Sequence, residues 1–381
     1  MIATSSRRAS VGVRHGLHIR SVDVRVYTVP TEVPEADGTL QWDRTSLVVV
    51  QPLLDNGIRG LGYAVGDPAT GALARDTLVD VVIGTDVRDI GAAWEAMVRR
   101  IRNLGRPGIA SMAIAAMDIA LWDTKARALD LPLHKLLGPV RDSVPIYGSG
   151  GFTSLSEREL CAQLSAWVEQ GIPRVKMKIG KDRGRSWEED IRRVRAARHA
   201  VGDDTELYVD ANGAYDRKLA RRLGRRYAEE SGVTWFEEPV TSDDREGLAA
   251  LRAELPLEVS AGEYGYNLEY FQTMLASQAV DVLQADAGRC AGITEWLRVA
   301  AVSAAFKIPY SAHCGPSIHA HAATVPPNLR HIEYFHDHSR VDRMLFDGVL
   351  DPHDGALWPD NERPGIGLAL KERDAERFRV S

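Results

Sequence analysis

Cysteine is scarce in this chain. Cys161, Cys290 and Cys314 are the only three, they stand far apart, and their number is odd. That excludes a disulfide framework and fits a reducing compartment, so a cytoplasmic location is expected. Long apolar runs are missing as well; none approaches the roughly 18 residues that span a bilayer. An excess of basic charge is also missing. At a net charge of -6, neither nucleic acid nor an anionic membrane is expected as a partner. Internal repeats and low-complexity tracts are absent, which excludes solenoid architectures. Residues 1–18 carry Arg7, Arg8 and Arg14 without an apolar segment. They are expected to be a disordered tail and not a signal peptide.

What is present is length: 381 residues, enough for a barrel-sized core plus a second module. Ser21 to Val26 alternates apolar and polar residues, the pattern of a half-buried strand. Pro30 to Asp43 holds Pro30, Pro34 and Gly38 with no period, and predicts a long loop. Thr45 to Leu54 predicts a second strand, Asn56-Gly57 a hairpin turn, and Ile58 to Ala64 a third strand. Ser111 to Leu129 predicts a helix with Ile114, Met117, Leu121 and Trp122 near one core-facing side. Residues 19–140 therefore form an α+β module.

From Val144 the rhythm changes. Short apolar strands are predicted at Val144–Tyr147, Arg174–Ile179, Leu207–Asp210, Thr234–Glu237, Glu258–Ala261, Val280–Ala285, Ile308–Ala312 and His331–Phe335. Helical patterns lie between them, clearest at Leu155–Glu169, Trp187–Ala200, Arg217–Glu230 and Ile293–Ala305. Eight strands with crossovers over residues 141–335 read as a TIM-like barrel. Gly315 to Ala323 is short for its seventh outer helix. Residues 336–381 look loop-rich, beginning His336-Asp337-His338, and are expected to pack back on the first module.

Lys176 and Lys178 sit two apart on a strand, so both point to one face. Like charge and burial should each lower a lysine pKa, and a lysine poised near neutrality is a general base. The alternative is a strand end whose lysines both reach solvent. Other strands also end in polar residues, at the rim where barrel enzymes place their chemistry. Asp210, Glu237 and Glu263 end three successive strands, about 5 Å apart laterally. Crowded carboxylates repel unless a cation holds them, and an all-oxygen set suits Mg²⁺. Three unrelated acidic residues at loop starts are the plain alternative. Asp286 and His313 end the next two strands; an aspartate accepting from one imidazole nitrogen leaves the other to move a proton. Cys314 is read as packing, since no separate base accompanies it. His319 and His321 match no metal spacing, and Gly60-Leu-Gly62 lacks the strand–loop–helix setting of a nucleotide site.

Lys-Met-Lys at 176–178, Val-Asp-Ala-Asn-Gly at 209–213, Phe-Glu-Glu-Pro at 236–239, Ala-Gly-Glu at 261–263, Asp286, His313 and Glu333 together resemble the enolase superfamily, mandelate racemase subgroup. The resemblance covers nearly the whole chain. It implies a (β/α)7β barrel under an α+β capping domain built from both chain ends. It implies removal of a proton alpha to a carboxylate, giving an enediolate held on Mg²⁺. Asp210, Glu237 and Glu263 would bind the metal. Lys178 would be the base on one face and His313, oriented by Asp286, the acid or base on the other. Lys176 would lower the pKa of Lys178 and, with Asn212, help hold the substrate. Glu333 would donate to the substrate carboxylate as a protonated acid. Arg289-Cys-Ala-Gly after Asp286 departs from racemase-like members and looks more like the sugar-acid dehydratases.

The expected reaction is dehydration of an acid sugar to a 2-keto-3-deoxy acid. A racemase or epimerase of a 2-hydroxy acid uses the same two bases. A barrel that binds sugar acid and metal without turnover is a third reading; a Schiff-base aldolase would not need three rim carboxylates. Specificity is expected in the loops Pro30–Asp43 and Gly62–Thr70, with Trp42 and Arg44 as substrate contacts or plain surface residues. A homo-oligomer, dimer to octamer, is expected from the resemblance.

Overall fold

Alternating valines build the first element. A computed structural model of the protein describes residues 16–381. Strand β1 (Ile19–Ala36) pairs antiparallel with β2 (Gln41–Leu54), which pairs with β3 (Gly62–Val65). Val24, Val26, Val48 and Val50 face one side of this meander, and Tyr27, Val29, Leu47 and Val49 face the other. Both sides are buried, one against a long helix, the other toward the barrel. Leu17 and His18 already bond to their neighbours, His18 bridging Asp86, so order starts before Ile19. The rest of the expected tail, residues 1–15, lies outside the described residues.

Pro30 to Asp43 is not a loop. The β1–β2 ladder runs through Pro30↔Arg44, shifts register, and resumes at Glu35↔Trp42 and Ala36↔Gln41. Proline is tolerated because β1 is the edge strand of its sheet, and the bulge absorbs the misfit. At the tip, the Asp37 carboxylate accepts from the backbone N–H groups of Thr39 and Leu40. Gly38 at this tip lies so close to the barrel that a Cβ would stand 2.5 Å from the Ala211 carbonyl oxygen. The third strand begins at Gly62, not Ile58; Arg59 makes only an isolated bridge to Leu53.

The helix Ile109–Ala128 is buried on nearly every side and not on one stripe, because it lies between the sheet and the barrel. Trp122 is only half-buried and donates from its indole to Thr294 Oγ1 at 2.9 Å.

Eight parallel strands follow: β4 (Val144–Gly150), β5 (Arg174–Lys178), β6 (Glu206–Asp210), β7 (Val233–Glu237), β8 (Glu258–Ala261), β9 (Val282–Ala285), β10 (Tyr310–Ala312) and β11 (Leu329–Phe335). They pair in chain order, and β11 pairs back to β4, which closes the barrel. Tyr147, Tyr208, Trp235 and Val282 fill its lumen, with His331 among their rings. The seventh outer helix is the short Pro316–Ala322, buried throughout.

The segment after Phe335 opens on a helix, His336–Leu345, where loop is expected. Its buried positions include Asp337, Ser339 and Asp342. Asp337 takes Thr45 and Arg340, and Asp342 takes Tyr63 and Ser317. With polar groups beside Val341 and Leu345 on the buried face, the apolar stripe is too short to read. The last residues reach the cap: along the open edge of β1 the Val380 N–H donates to the Val26 carbonyl and the Val26 N–H donates to the Ser381 carbonyl, and Arg25 pairs with Glu372. Among the described residues no helix is long and apolar enough to cross a membrane.

Candidate active site

Barrel register brings the strand ends into one ring. Lys178 lies beside Asp210, and Asp210 beside Glu237. Asp210, Glu237 and Glu263 each offer an oxygen within 4.8 Å of the others, and all three are buried. Glu237 Oε1 and Glu263 Oε2 have no hydrogen-bond partner. Buried carboxylate oxygens left bare are costly unless a cation satisfies them. The all-oxygen donor set and the two orphaned atoms fit a hard divalent ion. The other oxygens are held in place. Glu237 Oε2 accepts from Lys176, Gln284 and the Trp235 indole at 2.7, 3.0 and 3.1 Å. Arg289 Nη1 donates to Glu263 Oε1 at 3.1 Å and stacks over Tyr264.

The lysines do not carry lowered pKa values. Burial does push each ammonium down, but nearby carboxylates outweigh it, and both end raised. Lys178 Nζ donates to Asp210. Lys176 Nζ sits 2.7 Å from Glu237, 2.9 Å from Glu333 and 3.6 Å from Asp210. The expectation counts lysine against lysine and omits the carboxylates that adjacent strands bring. Lys178 can act as a base only when the charge of Asp210 is taken up by something else.

Glu333 is likewise not a protonated donor here. Burial pushes its carboxyl up, yet Lys176, His313 and Lys178 hold it well below the usual range. Its Oε1 accepts from Ser149 and Lys176, and its Oε2 from the Cys314 N–H at 2.8 Å. It acts as an acceptor that fixes Lys176.

On the other side, His313 Nδ1 meets Asp286 Oδ2 at 2.8 Å. Burial raises the Asp286 carboxyl, but the hydrogen bond and charge of His313 outweigh it and hold it at about 2. Nε2 lies 3.3 Å from Cys314 Sγ and 3.5 Å from Glu263 Oε2.

Lys178, Asn212, Glu263, Asp286 and His313 line one cavity of ≈ 660 Å³ between barrel and cap. Lys176 is fully buried beneath it. Trp42 and Arg44 line its cap side. Trp42 donates to Glu35 at 2.9 Å and meets Phe152 edge-on, so its indole is anchored. Arg44 is largely exposed and bonded to its neighbour Asp43. Asn212 Oδ1 is buried and unpartnered. Tyr63 to Pro68 form another part of the wall. Sequence reasoning misses Ser149, Gln284 and Trp235, which hold Glu333 and Glu237. Gln284 stands two residues before Asp286, a same-face spacing that could have marked it. His319 accepts from the Ala287 N–H at 3.0 Å and is a structural group.

Residues 21–138 match the mandelate racemase / muconate lactonizing enzyme N-terminal domain, and residues 159–375 match the enolase C-terminal domain-like family. The chain belongs to the mandelate racemase/muconate lactonizing enzyme family of the enolase superfamily. Among its relatives, an L-talarate/galactarate dehydratase of Salmonella typhimurium is 32% identical over 372 residues, 94% of this chain and 90% of that protein. A mandelate racemase/muconate lactonizing enzyme-like protein from Rubrobacter xylanophilus is 48% identical, with a TM-score of 0.92 over 95% of this chain and 100% of that one. An L-talarate/galactarate dehydratase variant liganded with Mg and L-glucarate superposes with a TM-score of 0.89 at 30% identity, over 100% of this chain and 96% of that one.

Proposed function

We propose that this family member dehydrates an acid sugar, an aldonate or aldarate, to a 2-keto-3-deoxy acid. The observation that carries the reading is one pocket lined by Lys178 and by the His313–Asp286 pair, beside a cluster of three buried carboxylates with two bare oxygens. The relatives named for dehydration of galactarate, arabinonate and galactonate support the substrate class.

Asp210, Glu237 and Glu263 would hold Mg²⁺, and the ion would supply positive charge to a substrate carboxylate as it gains a second negative charge. Lys178 Nζ, released from Asp210 and having given its ammonium proton to solvent, takes the proton at C2 as the neutral amine. The electron pair moves toward the carboxylate, where Lys176 offers a fixed positive charge. His313 Nε2 gives its proton to the C3 hydroxyl, the C3–O bond breaks, and water leaves. The resulting enol takes up a proton at C3 and becomes the 2-keto acid. Asp286 accepts from Nδ1–H and so stabilises the imidazolium whose Nε2–H is the proton given. Glu333 keeps Lys176 in place, and Asn212 presents its bare carbonyl oxygen to a substrate hydroxyl. Trp42 and Arg44 approach the far end of the substrate.

The unpaired cysteines support a cytoplasmic location. The resemblance supports a homo-oligomer of two to eight chains, which sedimentation measures directly. The decisive experiment incubates the protein and Mg²⁺ with a panel of aldonic and aldaric acids. A 2-keto acid assay and mass spectrometry read out the products. Loss of one water with a new ketone is expected. Inversion with no mass change makes it a racemase or epimerase. Mg²⁺ binding with neither product nor α-proton exchange rejects catalysis.

A further inference from the structure

Beside the carboxylate cluster lies a second set of donors with different chemistry. His313 Nε2 is 3.3 Å from Cys314 Sγ and 3.9 Å from Glu333 Oε2. One nitrogen, one sulfur and one carboxylate oxygen of these residues all fall within 4.8 Å of one another. The three residues are buried, and His313 and Cys314 line the cavity. Consecutive strand residues normally point to opposite faces. His313 and Cys314 lie just past the end of β10, and Cys314 has a φ of 47°, in the left-handed region that only a constrained position holds. The turn sends both side chains into the same space. Each donor is also oriented. Asp286 occupies His313 Nδ1 and turns Nε2 toward Cys314. The Cys314 N–H, Ser149 and Lys176 fix the Glu333 carboxylate from both oxygens.

We propose that His313 Nε2, Cys314 Sγ and the Glu333 carboxylate form a second metal site, for a thiophilic divalent ion of the Zn²⁺ class, and that an ion bound there inhibits the enzyme. Tetrahedral Zn²⁺ with bonds of about 2.0–2.3 Å needs donors roughly 3.3–3.8 Å apart; the two separations from Nε2, 3.3 and 3.9 Å, lie at and just beyond that span, and the thiol and carboxylate are within 4.8 Å. Three protein ligands from nitrogen, sulfur and oxygen leave one position open, the arrangement of accessible zinc sites. Sulfur and imidazole select against Mg²⁺, whose all-oxygen preference is met by Asp210, Glu237 and Glu263. The two sites thus sort two kinds of ion. Binding sends the thiol proton to solvent, and thiolate and carboxylate together balance the two charges of the ion. The bound ion takes the Nε2 lone pair, so the imidazole can no longer move a proton.

Cobalt serves as the probe, because a cysteine–Co²⁺ bond gives a near-ultraviolet charge-transfer band that carboxylates do not. Co²⁺ is titrated into the full-length protein with Mg²⁺ in excess, and Zn²⁺ is then used to displace it. The band is expected in the wild type and in Cys161→Ala, and absent in Cys314→Ala, Cys314→Ser and His313→Asn. Zn²⁺ affinity should fall at least about tenfold in Cys314→Ala, since even outer-shell partners of a metal are worth that much. On whichever acid is turned over, Cys314→Ala should keep its Mg²⁺-supported rate and lose zinc inhibition. No band in the wild type, or an unchanged band in Cys314→Ala, overturns the site. Should both Cys314 variants fail to fold, the wild-type band and its loss in His313→Asn decide. The band is read from the metal, so failure of the dehydratase reading would leave this result standing.

Discussion

The two sides of the pocket are built on opposite electrostatic plans. On the lysine side, two ammonium groups sit within hydrogen-bond distance of three carboxylates, and nothing is free to react until a partner is withdrawn. On the histidine side, one aspartate engages one ring nitrogen, and the other meets only the Cys314 thiol at 3.3 Å and Glu263 at 3.5 Å. The first plan needs a cation to release its base. The second has its proton carrier oriented already, through a single contact. Release of Lys178 is thereby tied to its aspartate, which belongs to the carboxylate cluster, whereas His313 keeps its orienting contact and meets the cluster only through Glu263 at 3.5 Å. The reason is connectivity: Lys178 shares Asp210 with the metal cluster, whereas His313 is oriented by Asp286, outside it.

The most damaging way to break this asymmetry is to remove the cluster. Glu237→Gln should lower turnover by at least about 10³-fold, because metal charge stabilisation is worth several kcal/mol. Chelation of the wild type should do the same reversibly, with Mg²⁺ restoring the rate. Full turnover in excess chelator would remove the metal from the reaction. Next come the two bases. Lys178→Ala and His313→Asn should each cost about 10²–10⁴ in α-proton exchange, but for opposite configurations at C2, as followed by deuterium incorporation in NMR spectra. Asp286→Asn should behave like His313→Asn and leave Lys178-dependent exchange alone. Equal loss of both configurations in each variant contradicts two-sided chemistry.

A finer test asks how tightly the histidine side is tied to the metal. Arg289→Met removes the group that holds Glu263 Oε1 and should weaken Mg²⁺ binding by about 10–100-fold, read by calorimetry. Unchanged affinity would make Arg289 a wall residue only.

The smallest effect on turnover is expected in the cap hairpin. Burial lifts the Glu35 carboxyl to about 8, with Asp337 adding to the rise and the Trp42 bond opposing it. Below the ordinary carboxyl pKa both folded and unfolded chains are protonated, and the contribution of Glu35 to stability is fully present. As pH rises toward 8 the unfolded chain loses its proton first, so stability falls, by at most about 1.4 kcal/mol per pH unit. Glu35→Gln should flatten that decline between pH 5 and 8, as measured by urea midpoints. Parallel declines in both proteins would show that Glu35 ionises freely.

Much of the barrel was legible because each strand announces itself locally. A short apolar run that closes on Asp210, Glu237, Glu263, Asp286 or His313 combines strand period with a polar terminus, and strand order follows chain order in this fold. The hairpin was harder. Pro30 and Pro34 signal a loop unless the strand lies at an edge, and edges are decided by which segments pair. The helix His336–Leu345 was hidden because polar side chains from distant segments satisfy its buried face.

By itself, then, the sequence determined the barrel, the carboxylate cluster and the His313–Asp286 pair, since these rest on periodicity and on neighbouring strand ends. Tertiary structure alone decided how the site is charged. The protonation of Lys176, Lys178 and Glu333 depends on a sum over carboxylates and cations from several strands, and no local spacing carries that sum. The same holds for Cys314: its letter beside His313 suggested packing, and only a left-handed backbone angle set its sulfur next to Nε2.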